Sequence, residues 1–124
     1  MADKTTYIKL DRNITKWRWY QNPNTFRVWI HLLLTANYED RGYEDITIHR
    51  GELLLNYNKI AVELGMSYQA VRTAVTHLKS TGELTARREG NFSIISIVSY
   101  DEYQSNQQAN QQRINSASTE SKEV

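Results

Sequence analysis

The stretch Asn56–Leu84, NYNKIAVELGMSYQAVRTAVTHLKSTGEL, reads as two helices joined by a tight turn. Asn56 is a helix-capping residue type, and Ile60, Ala61 and Leu64 give one apolar face to a helix expected over about Tyr57–Leu64. Gly65 breaks that pattern as a left-handed residue at a helix end would, and Met66 is an apolar residue in the turn. Ser67 is suited to cap a second helix, in which Val71, Ala74, Val75 and Leu78 recur at helical spacing until Gly82 closes it. Two short helices with a glycine in the turn between them form a helix-turn-helix, whose second helix can enter a DNA major groove.

If those four apolar residues face inward, Tyr68, Gln69, Arg72, Thr73, Thr76, Lys79 and Ser80 face outward, and none is acidic. Gln, Arg, Thr and Ser side chains can pair with base edges and phosphates. An ordinary core helix with a polar outer face would give a similar pattern, so the residues after Gly82 carry the distinction. Leu84–Arg88 (LTARR) and Phe92–Val98 (FSIISIV) read as β runs around Glu89-Gly90-Asn91, a hairpin turn signal. A helix-turn-helix with a hairpin directly after it is the winged-helix arrangement. The expected fold is therefore α+β, mainly α, with a small antiparallel sheet. Duplex DNA would meet the helix 67–81 and the wing 84–98. Ser67, Tyr68, Gln69, Arg72, Thr73 and Thr76 would lie nearest the bases, with Lys79, Arg87 and Arg88 on phosphates.

Upstream, Tyr7–Tyr20 (YIKLDRNITKWRWY) carries too many large apolar groups to leave in water. Asp11 or Asn13 can cap a short turn there. The segment is expected to pack on the domain body or on a second copy of the chain. Tyr7, Ile8, Trp17, Trp19 and Tyr20 are the oligomerisation candidates. Asn22-Pro23 then starts a helix to about Asn37, apolar over most of its circumference and so expected to be buried on more than one side. Tyr38–Asp45 reads as a loop. Ile46–Ile48 is the run expected to pair with the wing, while Glu52–Leu55 leads into Asn56.

With 124 residues the chain has length for one domain with a single core, expected over residues 1–103. Residues 104–124, rich in Gln, Asn and Ser, cannot bury enough surface to offset the entropy of ordering and are expected to form a disordered tail. The chain has no cysteine, which removes disulfides and thiolate metal sites. It shows neither a signal-peptide pattern nor an apolar run of membrane-spanning length, so the expected location is cytoplasmic. Net charge is +1, but residues 67–100 carry Arg72, Lys79, Arg87 and Arg88 against Glu83 and Glu89. That small local excess implies weak sequence-independent DNA affinity, with Kd of about 10⁻⁴–10⁻⁵ M at physiological salt. His31, His49 and His77 are widely separated, and no phosphate-binding glycine loop occurs. No enzyme activity, cofactor or metal is expected.

Several separated segments resemble phage replisome organisers and, more broadly, the N-terminal winged-helix domain of DnaD-like replication initiation proteins. They are YIKLDRNI, the NPNTFRVWIHLLLTAN helix, ITI-x-RGELL, the helix pair through VRTAVTHLKSTGEL, and SYDEYQ, covering about Tyr7–Gln104. The resemblance implies a winged helix, DNA binding, self-association and a role in loading phage or plasmid replication machinery. It places Arg72 on the arginine of the family's VRTAxxxLKSTGE motif. Such proteins usually continue into a second domain, and here the sequence stops after the polar tail. A small transcriptional regulator and an oligomeric protein-interaction module therefore stand as alternatives.

Overall fold

The computed structural model describes residues 7–104. An N-terminal arm opens it. The Asp11 side chain accepts from the Asn13 backbone N–H at 2.7 Å and starts a 3-10 turn over Arg12–Lys16, and a second comes over Arg18–Gln21. Asn22 then accepts from the Thr25 N–H, and Pro23, whose fixed φ suits a first helical position, begins α1 (Pro23–Thr35). Thr25, Val28, Trp29, Leu32 and Leu33 form its buried stripe. Leu34 is exposed and Ile30 is only partly covered, so α1 is buried along one broad face rather than on most sides. It also ends two residues earlier than the apolar pattern suggests, because Ala36 is already extended.

The segment expected as a loop contains a small hairpin, β1 (Arg41–Tyr43) and β2 (Ile46–Ile48), turning through Glu44 at φ 54°. Strands of three residues, mostly exposed, leave too little alternation to be read from sequence. Next come β3 (Glu52–Leu54), α2 (Tyr57–Leu64), α3 (Tyr68–Ser80), β4 (Leu84–Glu89), β5 (Phe92–Ile97) and a short α4 (Tyr100–Gln104). The main sheet has the antiparallel order β3-β5-β4. Its third strand is thus residues 52–54. The expected partner, Ile46–Ile48, pairs with Arg41–Tyr43 instead. The chain is α+β.

β5 lies between β3 and β4, and Ile94, Ile95 and Ile97 are all buried along it. Opposed residues share a face, so Leu53, Ile95, Ile97 and Leu84 turn to the helices, where they join Val28, Leu32, Val71, Val75 and Leu78 in one core. The other face carries Glu52, Arg87 and Phe92. The β1–β2 hairpin lies against it through an edge-to-face Tyr43–Phe92 contact and an Arg87 hydrogen bond to the Thr47 carbonyl. Cover on both faces is why β5 reads as a near-continuous apolar run.

Gly51 turns the chain into β3 at φ +82°, where a Cβ would lie 2.8 Å from Cβ of Tyr100 on α4. Gly51→Ala is expected to cost about 1–2 kcal/mol from the left-handed backbone alone, with further loss from the clash. The thermal midpoint measures it. A loss no larger than the backbone share of about 1–2 kcal/mol would mean that α4 does not pack on this turn.

α4 also reaches back to the arm. The Gln104 side chain accepts from the Lys9 backbone N–H at 2.9 Å and donates to its carbonyl at 3.0 Å. Arg50 secures α4, pairing with Asp101 at 2.6 Å and donating to the Gln104 carbonyl at 3.3 Å. Gln104, the first residue of the expected tail, thus lies in α4 and is hydrogen-bonded to the arm. The rest of the expected disordered tail, 105–124, lies outside the described residues. Among the described residues no helix is long and apolar enough to cross a membrane.

Candidate nucleic-acid interface

Local capping sets how the helix pair presents itself. Asn56 Oδ1 accepts from the Lys59 N–H at 3.0 Å to begin α2, and Gly65 ends it in left-handed conformation at φ 67°. The Met66 N–H then reaches the Ala61 carbonyl at 3.0 Å, which closes the last turn. Ser67 Oγ accepts from the Ala70 N–H at 3.0 Å, so this serine caps α3. The cap satisfies one of the orphan donors of the first turn and leaves the positive end of the helix at the surface.

α3 is held from behind. Val71, Ala74, Val75 and Leu78 are buried in the core. His77 Nδ1 lies 2.9 Å from Thr25 Oγ1 of α1, and its ring stacks on Trp19 at 4.5 Å. The two indoles of the arm donate just beyond the helix end, Trp19 to Thr81 Oγ1 at 3.0 Å and Trp17 to Glu83 at 3.1 Å. The opposite face is left outward. Tyr68, Gln69, Arg72, Thr73, Thr76, Lys79 and Ser80 are all exposed. Gln69 donates to Thr73 at 3.3 Å along it. Arg72 lies over the rings of Tyr68 and of Tyr57 at the start of α2, with Nη1 donating to the Tyr68 hydroxyl at 3.3 Å. That hydrogen bond raises the pKa of a guanidinium that is already cationic at its ordinary value.

The hairpin splits its two arginines. Arg88 is exposed, cross-strand from Ser93, to whose hydroxyl it donates at 3.2 Å. Arg87, expected beside it on phosphates, turns to the other face of the sheet. It holds Glu52 through two hydrogen bonds of 3.3 and 3.0 Å, pairs with Glu89, and donates to the Thr47 carbonyl at 3.0 Å. Neighbouring residues on a strand point to opposite faces, so only one of two adjacent arginines can share the outward surface.

The oligomerisation candidates divide similarly. Ile8, Trp17 and Trp19 pack against this chain's own core, and Trp17 meets Trp29 at 5.4 Å. Tyr7 and Tyr20 remain exposed, at 71% and 43%. Of the two destinations expected for the arm, the domain body is the one that receives its indoles.

Tyr57 is the neighbour of Arg72 that sequence reading missed. It opens α2, 15 positions before Arg72, and no local spacing rule links the two. A groove of about 630 Å³ between the β1–β2 hairpin, α1 and α2 offers less chemistry. Its His31 and Lys59 both turn to Glu63, at 2.9 and 3.8 Å. Comparisons with protein-family models, curated proteins and solved structures find no match to this chain.

Proposed function

We propose that this chain is a DNA-binding winged-helix protein that docks α3 in the major groove of a duplex and lays the β4–β5 hairpin beside it. The observation that carries the reading is the outer face of α3. It presents exposed Tyr68, Gln69, Arg72, Thr73, Thr76, Lys79 and Ser80 with no acid among them, on a helix capped by Ser67 at its exposed N-terminus. Gln, Arg and Thr can hydrogen-bond base edges, while Lys79 and Arg88 supply charge for phosphates on either side. The motif resemblance to phage replisome organisers supports a role in replication initiation. Arg87 enters this reading as a structural group that fixes the hairpin, not as a phosphate contact.

Fluorescence anisotropy with labelled random duplex and single-stranded DNA at two salt concentrations tests the reading. Duplex binding is expected to weaken with salt, with a log–log slope of about −0.9 per phosphate contacted. Arg72→Ala is expected to lose about 1–3 kcal/mol on a preferred site, and Arg88→Ala to reduce the salt slope by about one. Absence of duplex binding at low salt would overturn the proposal and favour a protein-interaction module.

A further inference from the structure

Tyr68 and Arg72 lie outside the buried stripe of α3, and Tyr57 reaches them from the start of α2. We propose that Tyr57 and Tyr68 form an aromatic clamp that holds the Arg72 guanidinium ready to read a guanine, with Tyr57 as its positioning residue. The inference rests on the duplex-binding reading and specifies what that face recognises.

The geometry is compact. The Arg72 guanidinium carbon lies 5.2 Å from the Tyr57 ring centre and 5.8 Å from that of Tyr68. The rings meet edge to face at 5.6 Å and 76°. Tyr57 is half-buried and packs against the core, so it is the fixed base of the group, while Tyr68 and Arg72 are exposed. An arginine free in solvent loses considerable rotamer entropy when it docks, and one already stacked has lost part of it beforehand.

The clamp uses little of the hydrogen-bonding capacity of the arginine. A guanidinium has five N–H donors, and stacking on its face consumes none of them. One is spent, on the Tyr68 hydroxyl. Among the described residues no carboxylate pairs with Arg72, in contrast to Arg87, which is held by Glu52 and Glu89. The remaining donors suit the O6 and N7 acceptors of guanine, the base that a bidentate arginine reads in the major groove. A platform for stacking single-stranded bases is the competing use of exposed tyrosines. Here the cation already lies over both rings, and a base would have to displace it.

The test begins with selection of bound sequences from a randomised duplex pool. Anisotropy then compares the enriched duplex with one in which its G·C pair is replaced by A·T. Wild type is expected to discriminate between them by on the order of tenfold or more, and Arg72→Ala to lose that preference. Tyr57→Ala is expected to reduce it to within about threefold of no preference while the salt slope on random duplex persists, and Tyr57→Phe, which keeps the ring, to restore it. Should Tyr57→Ala fail to fold, as a thermal melt would show, Tyr68→Phe removes only the hydroxyl anchor and is expected to lower discrimination several-fold. Undiminished discrimination in Tyr57→Ala, or in Tyr68→Phe where that variant decides, overturns the clamp. Salt-dependent binding with no guanine preference overturns this inference alone, and no duplex binding at all overturns it together with the reading beneath it.

Discussion

Replacing Trp29 by alanine is expected to remove about 3–5 kcal/mol of folding stability. The indole is 3% exposed and stands where three parts of the chain meet. Trp17 of the arm packs on it at 5.4 Å, and Tyr103 of α4 meets it edge to face at 6.1 Å. Both neighbours would face a cavity, and the first and last described segments would lose their common support. A domain of this size has a total stability of about 5–15 kcal/mol, so the loss is a large share of the whole. Urea denaturation of wild type and variant at pH 7 measures it. Trp17→Ala, at a half-buried position, is expected to cost less and to leave the sedimentation coefficient unchanged, since this ring faces its own core. A Trp29→Ala protein within about 1 kcal/mol of wild type would mean that the arm does not pack on α1.

How far this arrangement can be read from the sequence depends on the range of the interaction. The helix pair is legible almost residue for residue, because each signal is local. Asn56 and Ser67 cap the turn directly after them, Gly65 takes the left-handed conformation that glycine tolerates, and the apolar spacing of α3 matches its buried face. The outward set Tyr68 to Ser80 comes from the same period. What is not legible depends on strand partners and faces. Ile46–Ile48 and Glu52–Leu54 are both short β-prone runs, and composition cannot say which of them joins β5. The glycine at 51 and the direct lead into α2 favour the second in space. Arg87 and Arg88 look equivalent in sequence, and register alone separates them. The indoles of the arm are readable as needing cover, but not as finding it at Thr81 and Glu83. Tyr57 is not legible as a neighbour of Arg72, because the turn between two helices brings the two together.

The same register gives the second large effect. Glu52→Ala is expected to cost about 2–3 kcal/mol, below the roughly 3–5 typical of breaking a buried ion pair. Its side chain is 10% exposed against 34% for Arg87, and Arg87 keeps Glu89 and the Thr47 carbonyl when Glu52 is lost. The His49 N–H, which donates to Glu52 at 2.9 Å, is left without that acceptor. The charge itself is testable through pH. Burial acts to raise the Glu52 pKa, but hydrogen bonds from Arg87 and from the His49 N–H outweigh it, so the folded carboxyl titrates below its ordinary value. The unfolded chain therefore takes up the proton at higher pH than the folded one. The stabilisation is complete above the usual glutamate range, about pH 4–5, and is lost as pH falls through the lower folded value. Asp40 is also lowered, chiefly by its hydrogen bond from the Arg50 N–H, so acid destabilises wild type through more than one group. Subtracting the stability curve of Glu52→Gln removes that shared part. The difference is expected to hold steady from pH 7 to about pH 5 and to shrink below it, as protonation makes the Glu52 carboxyl neutral like the glutamine it is compared with. A difference that stays constant down to about pH 3 would mean that Glu52 supports the β1–β2 hairpin by shape and neutral hydrogen bonding, with its charge contributing nothing.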